Sequence, residues 1–64
     1  METKVINGIT FNVYSDTKID GDFVKNEAVY FENKIEITGD LEVKYLFCAK
    51  SIKVKGNYKV GNLS

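Results

Sequence analysis

The stretch Ile37-Thr38-Gly39-Asp40-Leu41-Glu42-Val43 decides how the chain is read. It recurs upstream as Ile19-Asp20-Gly21-Asp22-Phe23-Val24 and downstream as Val54-Lys55-Gly56-Asn57-Tyr58-Lys59-Val60. The shared pattern is an apolar residue, any residue, Gly, Asp or Asn, then a second apolar residue. Gly21 and Gly39 stand 18 positions apart, and Gly39 and Gly56 stand 17 apart. The first spacing preserves the two-residue alternation of a strand, whereas the second requires one change of parity.

The residues around the motif supply that alternation. From residue 17 the odd positions carry Ile19, Phe23, Val29, Phe31, Ile35, Ile37, Leu41, Val43, Tyr45, Phe47 and Ala49. After Lys50-Ser51 the apolar set moves to even positions, Ile52, Val54, Tyr58 and Val60, so the change of parity is expected there. Lys25, Glu27 and Asn33 break the pattern and read as corners or a loop. No helical period is present, and β-branched and aromatic residues dominate, which predicts an all-β chain. Upstream, Asn7-Gly8 lies between two apolar strands and reads as a hairpin turn. The rival reading makes Ile6-Asn7-Gly8-Ile9 a degenerate copy of the motif. Ser15-Asp16-Thr17 is a polar turn that hands over to the repeats.

Two architectures fit: a short β-solenoid of fewer than three coils with an N-terminal β-hairpin cap, or a small antiparallel β-barrel or meander. Laying the copies in register favours the solenoid. It places Ile19, Ile37 and Val54 in one interior column and Phe23, Leu41 and Tyr58 in another. Outside, it aligns Lys18, Glu36 and Lys53 with alternating sign and sets Glu42 beside Lys59. Opposite charges on neighbouring strands contribute ~0.2–1 kcal/mol each. Asp22, Asp40 and Asn57 also stack, with a mild like-charge cost in the first pair. Gly is expected at the corner where the backbone turns with positive φ or two rungs come close.

On these three copies, within residues 17–60, the chain resembles the bactofilin-type, polymer-forming β-solenoid family, whose Gly-punctuated coils of about this length repeat many times. The resemblance implies a β-solenoid fold and a cytoskeletal filament subunit. This chain holds fewer than three coils where bactofilins have several.

Length and composition narrow the function classes. The 64 residues accommodate a single domain, read as a hairpin or cap over 1–14, repeats over 17–60 and a tail over 61–64. Histidine is absent, which removes His-based metal sites, Ser-His-Asp triads and Cys-His pairs. No phosphate-cradling loop appears, and Asp20, Asp22, Asp40 and Glu42 lack any recognised calcium-loop spacing. The expectation is therefore no enzyme, no cofactor, no metal and no catalytic residue. A lone Cys48, no apolar run of membrane-spanning length and no leader-like start lead to an expected cytoplasmic location without membrane association.

The formal charge sums to zero but is unevenly placed. Residues 1–42 hold four Lys against nine acids, a net of −5, and residues 43–64 hold five Lys and no acid. Lys44, Lys50, Lys53, Lys55 and Lys59 lie near Tyr45, Phe47 and Tyr58, a combination that binds nucleic acid in other settings. The absence of Arg and the inward parity of those aromatics argue against it, leaving a solvated outer face.

Two interaction surfaces remain. If positions 43, 45, 47 and 49 point inward, Leu46 and Cys48 point outward, beside Ala28 and Tyr30 and near Val24. Rimmed by Lys44 and Lys50, they make an apolar face for a protein partner. Alternatively the hairpin of residues 4–14 covers that face, or the strand has the other parity. The second surface is the last rung, where Tyr58, Val60 and Leu63 are expected to pair with a second copy in a dimer. The expected function is a non-enzymatic protein-interaction module that self-associates through its terminal rung. The alternatives are a small phage-encoded inhibitor of a bacterial defence, in the manner of an anti-CRISPR, or of a nucleic-acid-handling complex, and the filament subunit named above.

Overall fold

The computed structural model describes residues 1–63, Asn62 and Leu63 by their backbone alone. The described residues are all-β, with nine strands: β1 (Thr3–Ile6), β2 (Ile9–Tyr14), β3 (Lys18–Ile19), β4 (Phe23–Val24), β5 (Ala28–Phe31), β6 (Ile35–Ile37), β7 (Leu41–Cys48), β8 (Ile52–Val54) and β9 (Tyr58–Leu63). They form two open sheets, one of β1-β2-β5-β7-β4 with β9 paired to β7, the other of β3-β6-β8. There is no closed barrel, and the only antiparallel pairing among the described residues is β1 with β2.

That pairing is the hairpin expected at Asn7-Gly8. Ile6 faces Ile9 across the turn, with φ of 52° at Asn7 and 78° at Gly8. Positive φ at both central residues is the requirement of a type I′ turn, which Asn-Gly meets with little strain.

Every other pairing among the described residues is parallel: β2 pairs with β5, and from β3 onward the chain passes three times in one direction, each pass alongside the last. The first pass is β3, β4 and β5, the second β6 and β7, and the third β8 and β9. Ile19, Ile37 and Val54 align across the three passes, as do Phe23, Leu41 and Tyr58. Lys18, Glu36 and Lys53 also align, and Glu42 stands beside Lys59. Two exposed ion pairs form among the described residues: Lys18 with Asp20 of the same pass at 3.8 Å, and Lys55 with Glu36, diagonal to the Glu36–Lys53 row, at 3.5 Å. Exposed pairs of this kind contribute ~0–1 kcal/mol each.

At the Gly-Asp corner the passes come close together. The Gly39 N–H donates to the Gly21 carbonyl at 2.8 Å, and the Gly56 N–H to that of Gly39 at 3.0 Å. A Cβ at residue 39 would lie 2.5 Å from the Gly21 carbonyl carbon, and one at residue 56 would lie 2.6 Å from the Gly39 oxygen. Glycine is required at both by proximity, and at Gly21 by its φ of 102°. The stacked acids have a use that their charge obscured. Asp22 Oδ1 accepts the Asp40 N–H at 2.8 Å, and Asp40 Oδ1 accepts the Asn57 N–H at 2.8 Å. Each side chain thus satisfies a corner amide in the next pass.

The interior between the sheets holds Phe23, Val29, Phe31, Ile35, Ile37, Leu41, Val43 and Leu46. A second cluster, on the opposite face of β2, β5 and β7, holds Phe11, Val13, Ala28 and Tyr30, with Tyr45 and Phe47 packed against it. β5 is therefore buried on both faces. This moves the expected change of parity. The paired-residue offset is 18 at Phe23↔Leu41 and 17 at Ala28↔Tyr45, the extra residue falling within Lys25–Glu27. In β7 both Val43 and Leu46 face the interior, so the switch occurs at Lys44-Tyr45 rather than after Lys50-Ser51.

Candidate functional site

The earlier switch inverts the face expected around Leu46. Leu46 is 0% exposed, paired with Val29 in the interior, and Cys48 is half-buried against the same cluster. Burial pushes the Cys48 thiol pKa upward. Tyr45 and Phe47, expected inward, lie on the opposite face with Tyr30, which is itself buried. Tyr30 and Phe47 stack at 5.0 Å with nearly parallel rings. Lys4 Nζ sits 4.6 Å above the Tyr30 ring, a contact made from the hairpin. The residues expected to form one apolar face are thus divided among three places: Leu46 and Cys48 inside, Tyr30 in the second cluster, and Val24 with Lys44 at an outer corner.

That corner is a shallow open groove of ≈ 360 Å³ bordered by Val24, Glu42, Lys44 and Lys59. Its apolar part comes from Val24, 57% exposed, together with Val43 and Val60. Lys50 is exposed in the turn after β7 and lies outside this groove.

The signal for the second cluster was present as unbroken apolar runs. Ala28-Val29-Tyr30-Phe31 and Tyr45-Leu46-Phe47-Cys48 have no polar residue to mark an outward position. Parallel strands buried on both faces read this way.

The last pass is the other candidate. Its column residues can be compared directly with their second-pass partners. Ile35, Ile37, Leu41 and Val43 are at most 4% exposed, whereas Ile52, Val54 and Val60 are half-buried and Tyr58 is 46% exposed. The same inward positions therefore open to solvent once no further pass covers them among the described residues. β8 pairs with β6 and β9 with β7, and their other edges are unpaired among the described residues. Burial, then the neighbouring Cys48, raises the Tyr58 phenol pKa. Lys53, Lys55 and Lys59 are exposed on the outer side of this edge. The side chain of Leu63, the third residue expected to associate here, lies outside the described residues; its backbone pairs with Leu46.

No protein-family model, curated protein or solved structure matches the chain. No helix of the described residues is long and apolar enough to cross a membrane.

Proposed function

We propose that the chain is a short β-solenoid, closed at its N-terminal end by the β1–β2 hairpin, that acts as a non-enzymatic protein-interaction module through its last rung. Parallel pairing at a 17–18-residue offset and the Gly-Asp corner ladder support the solenoid reading. The observation that carries the function is the loss of burial down the interior columns, from Leu41 at 1% to Tyr58 at 46%. A row of half-buried apolar side chains beside unpaired backbone is what strand addition covers. A second copy in a two-fold dimer is the occupant that the sequence alone suggests, and the lysines along the rung argue against it.

The reading is tested by Val60→Lys, which places a charge in the half-buried row. The variant is expected to stay folded by circular dichroism and to lose any association seen by light scattering or partner titration. Undiminished association would place the interaction surface elsewhere.

A further inference from the structure

The charges along the last rung identify the kind of strand that fits it. This inference rests on the reading of that rung as the association surface. β8 and β9 present Ile52, Val54, Tyr58 and Val60 inward, with Lys53 and Lys59 at intervening outward positions. On their paired edge they are matched by β6 and the first half of β7, where Glu36 stands beside Lys53 and Glu42 beside Lys59. We propose that the free edge of the last rung takes a β-strand segment of a different protein, with apolar residues at its inward positions and acidic residues at its outward ones.

A second copy matches this edge poorly. Two last rungs set edge to edge would bring Lys53, Lys55 and Lys59 of both molecules together, and like charges on neighbouring strands oppose pairing. The other end of a second copy, continuing the stack in register, would place Lys18 against Lys53 and Val24 against Lys59. Its hairpin would also stand in the way, because β2 and β1 extend the sheet beyond β5 at that end. Neither arrangement provides the two acids that the edge calls for. Asn57 takes the next place in the corner row of Asp22 and Asp40, and its backbone N–H donates to Asp40 Oδ1.

The test uses the whole protein and two labelled peptides. One copies residues 35–43, and the other carries Glu36→Lys and Glu42→Lys. By fluorescence anisotropy at low salt, the acidic peptide is expected to bind at least roughly tenfold more tightly than its lysine counterpart. Its amide-shift footprint in an NMR titration falls on β8 and β9, and the preference shrinks as salt rises past 0.1 M, where screening reaches ~10 Å. The Lys53→Glu/Lys59→Glu variant is expected to reverse the preference. Equal binding of both peptides at β8 and β9 would overturn the acidic strand while leaving the last-rung reading in place. If neither peptide binds and light scattering gives twice the chain mass, the second copy is the occupant and this proposal falls. If neither binds and the protein is a monomer, the last-rung reading falls with it. Binding of a DNA or RNA oligonucleotide at these lysines, with no response to either peptide, would overturn it in favour of nucleic acid.

Discussion

At the N-terminal end of the stack, Tyr14, Phe23 and Phe31 pack ring against ring. Tyr14 lies edge-on to Phe23 at 5.2 Å, and Phe23 is 5.4 Å from Phe31. The hairpin carries the sheet onward from β5, and the Tyr14 hydroxyl donates to the Glu27 carboxylate. At the C-terminal end the interior row of the last pass is Ile52, Val54, Tyr58 and Val60, all partly in solvent, with Tyr58 in the column of Phe23. Phe23 and Tyr58 hold the same place in the repeat at the two ends, and their burial differs with what lies over them. Each pass leaves one side of its apolar row exposed until another element lies over it. At the N-terminal end β3 has only β6 as a neighbour among the described residues, and Ile19 is half-buried.

The middle pass sets the upper limit for this comparison. Leu46→Asp puts a carboxylate at a position with no exposure and no cation beside it in register. A domain of this size has roughly 3–10 kcal/mol of stability at 0.05–0.15 kcal/mol per residue. The cost of burying an unpaired charge is of the same order, so the variant is expected to be unfolded by circular dichroism. A folded Leu46→Asp protein would return Leu46 to the surface.

The two ends are contrasted directly by truncating one aromatic at each. Phe31→Ala removes a fully buried ring and is expected to cost ~3–5 kcal/mol, most of the stability. Tyr58→Ala removes a ring already half in water and is expected to cost roughly 1 kcal/mol. Denaturant midpoints measure both. Equal losses would break the contrast by showing that Tyr58 is covered in solution.

The corner glycines sharpen it further. Gly39→Ala drives a methyl into the Gly21 carbonyl between two held passes, and ~1–3 kcal/mol is expected. Gly56→Ala meets the Gly39 oxygen just as closely, but on the last pass, which among the described residues is held along one edge only. That pass can lift by a few tenths of an ångström, so the penalty is expected to be roughly half as large. Thermal unfolding of the two variants in parallel reads the difference.

Much of this architecture was legible because the motif constrains backbone and side chains at once. The Gly-Asp corner fixed which residues align, and the columns Ile19-Ile37-Val54 and Phe23-Leu41-Tyr58 follow from it. The Asn7-Gly8 turn was equally local. What the sequence concealed was the second face of β5 and β7. Strict alternation assumes one wet face, and Tyr30, Tyr45 and Phe47 violate it because β2 brings Phe11 and Val13 alongside them. Assigning the parity switch to the polar Lys50-Ser51 turn then reversed Leu46 and its neighbours. The half-open last rung was legible in outline, since Tyr58 and Val60 follow the motif. The fit of its lysines to Glu36 and Glu42 also needed the register, which the three copies supply.

The smallest expected effect lies in the hydrogen bond from Tyr14 of β2 to Glu27, just before β5. Donation from the Tyr14 hydroxyl is the main cause holding the Glu27 carboxyl below its ordinary pKa. Burial first, and Glu27 second, raise the Tyr14 phenol from 10.0 to about 12. A lowered carboxyl pKa stabilises the fold above the ordinary carboxylate value, and that contribution is lost as pH falls through the folded-state value. A raised phenol pKa stabilises the fold below pH 10.0, and that contribution is lost as pH climbs towards about 12. Tyr14→Phe keeps the ring against Phe23 and Phe31 and removes only the bond, so a loss of ~1 kcal/mol or less is expected at neutral pH. Both pH limbs of the stability profile are expected to flatten in this variant, and the phenolate absorbance step near pH 12 to disappear. An unchanged alkaline limb would assign that step to another group, with Tyr58 at the open end, itself raised by burial, the first to examine.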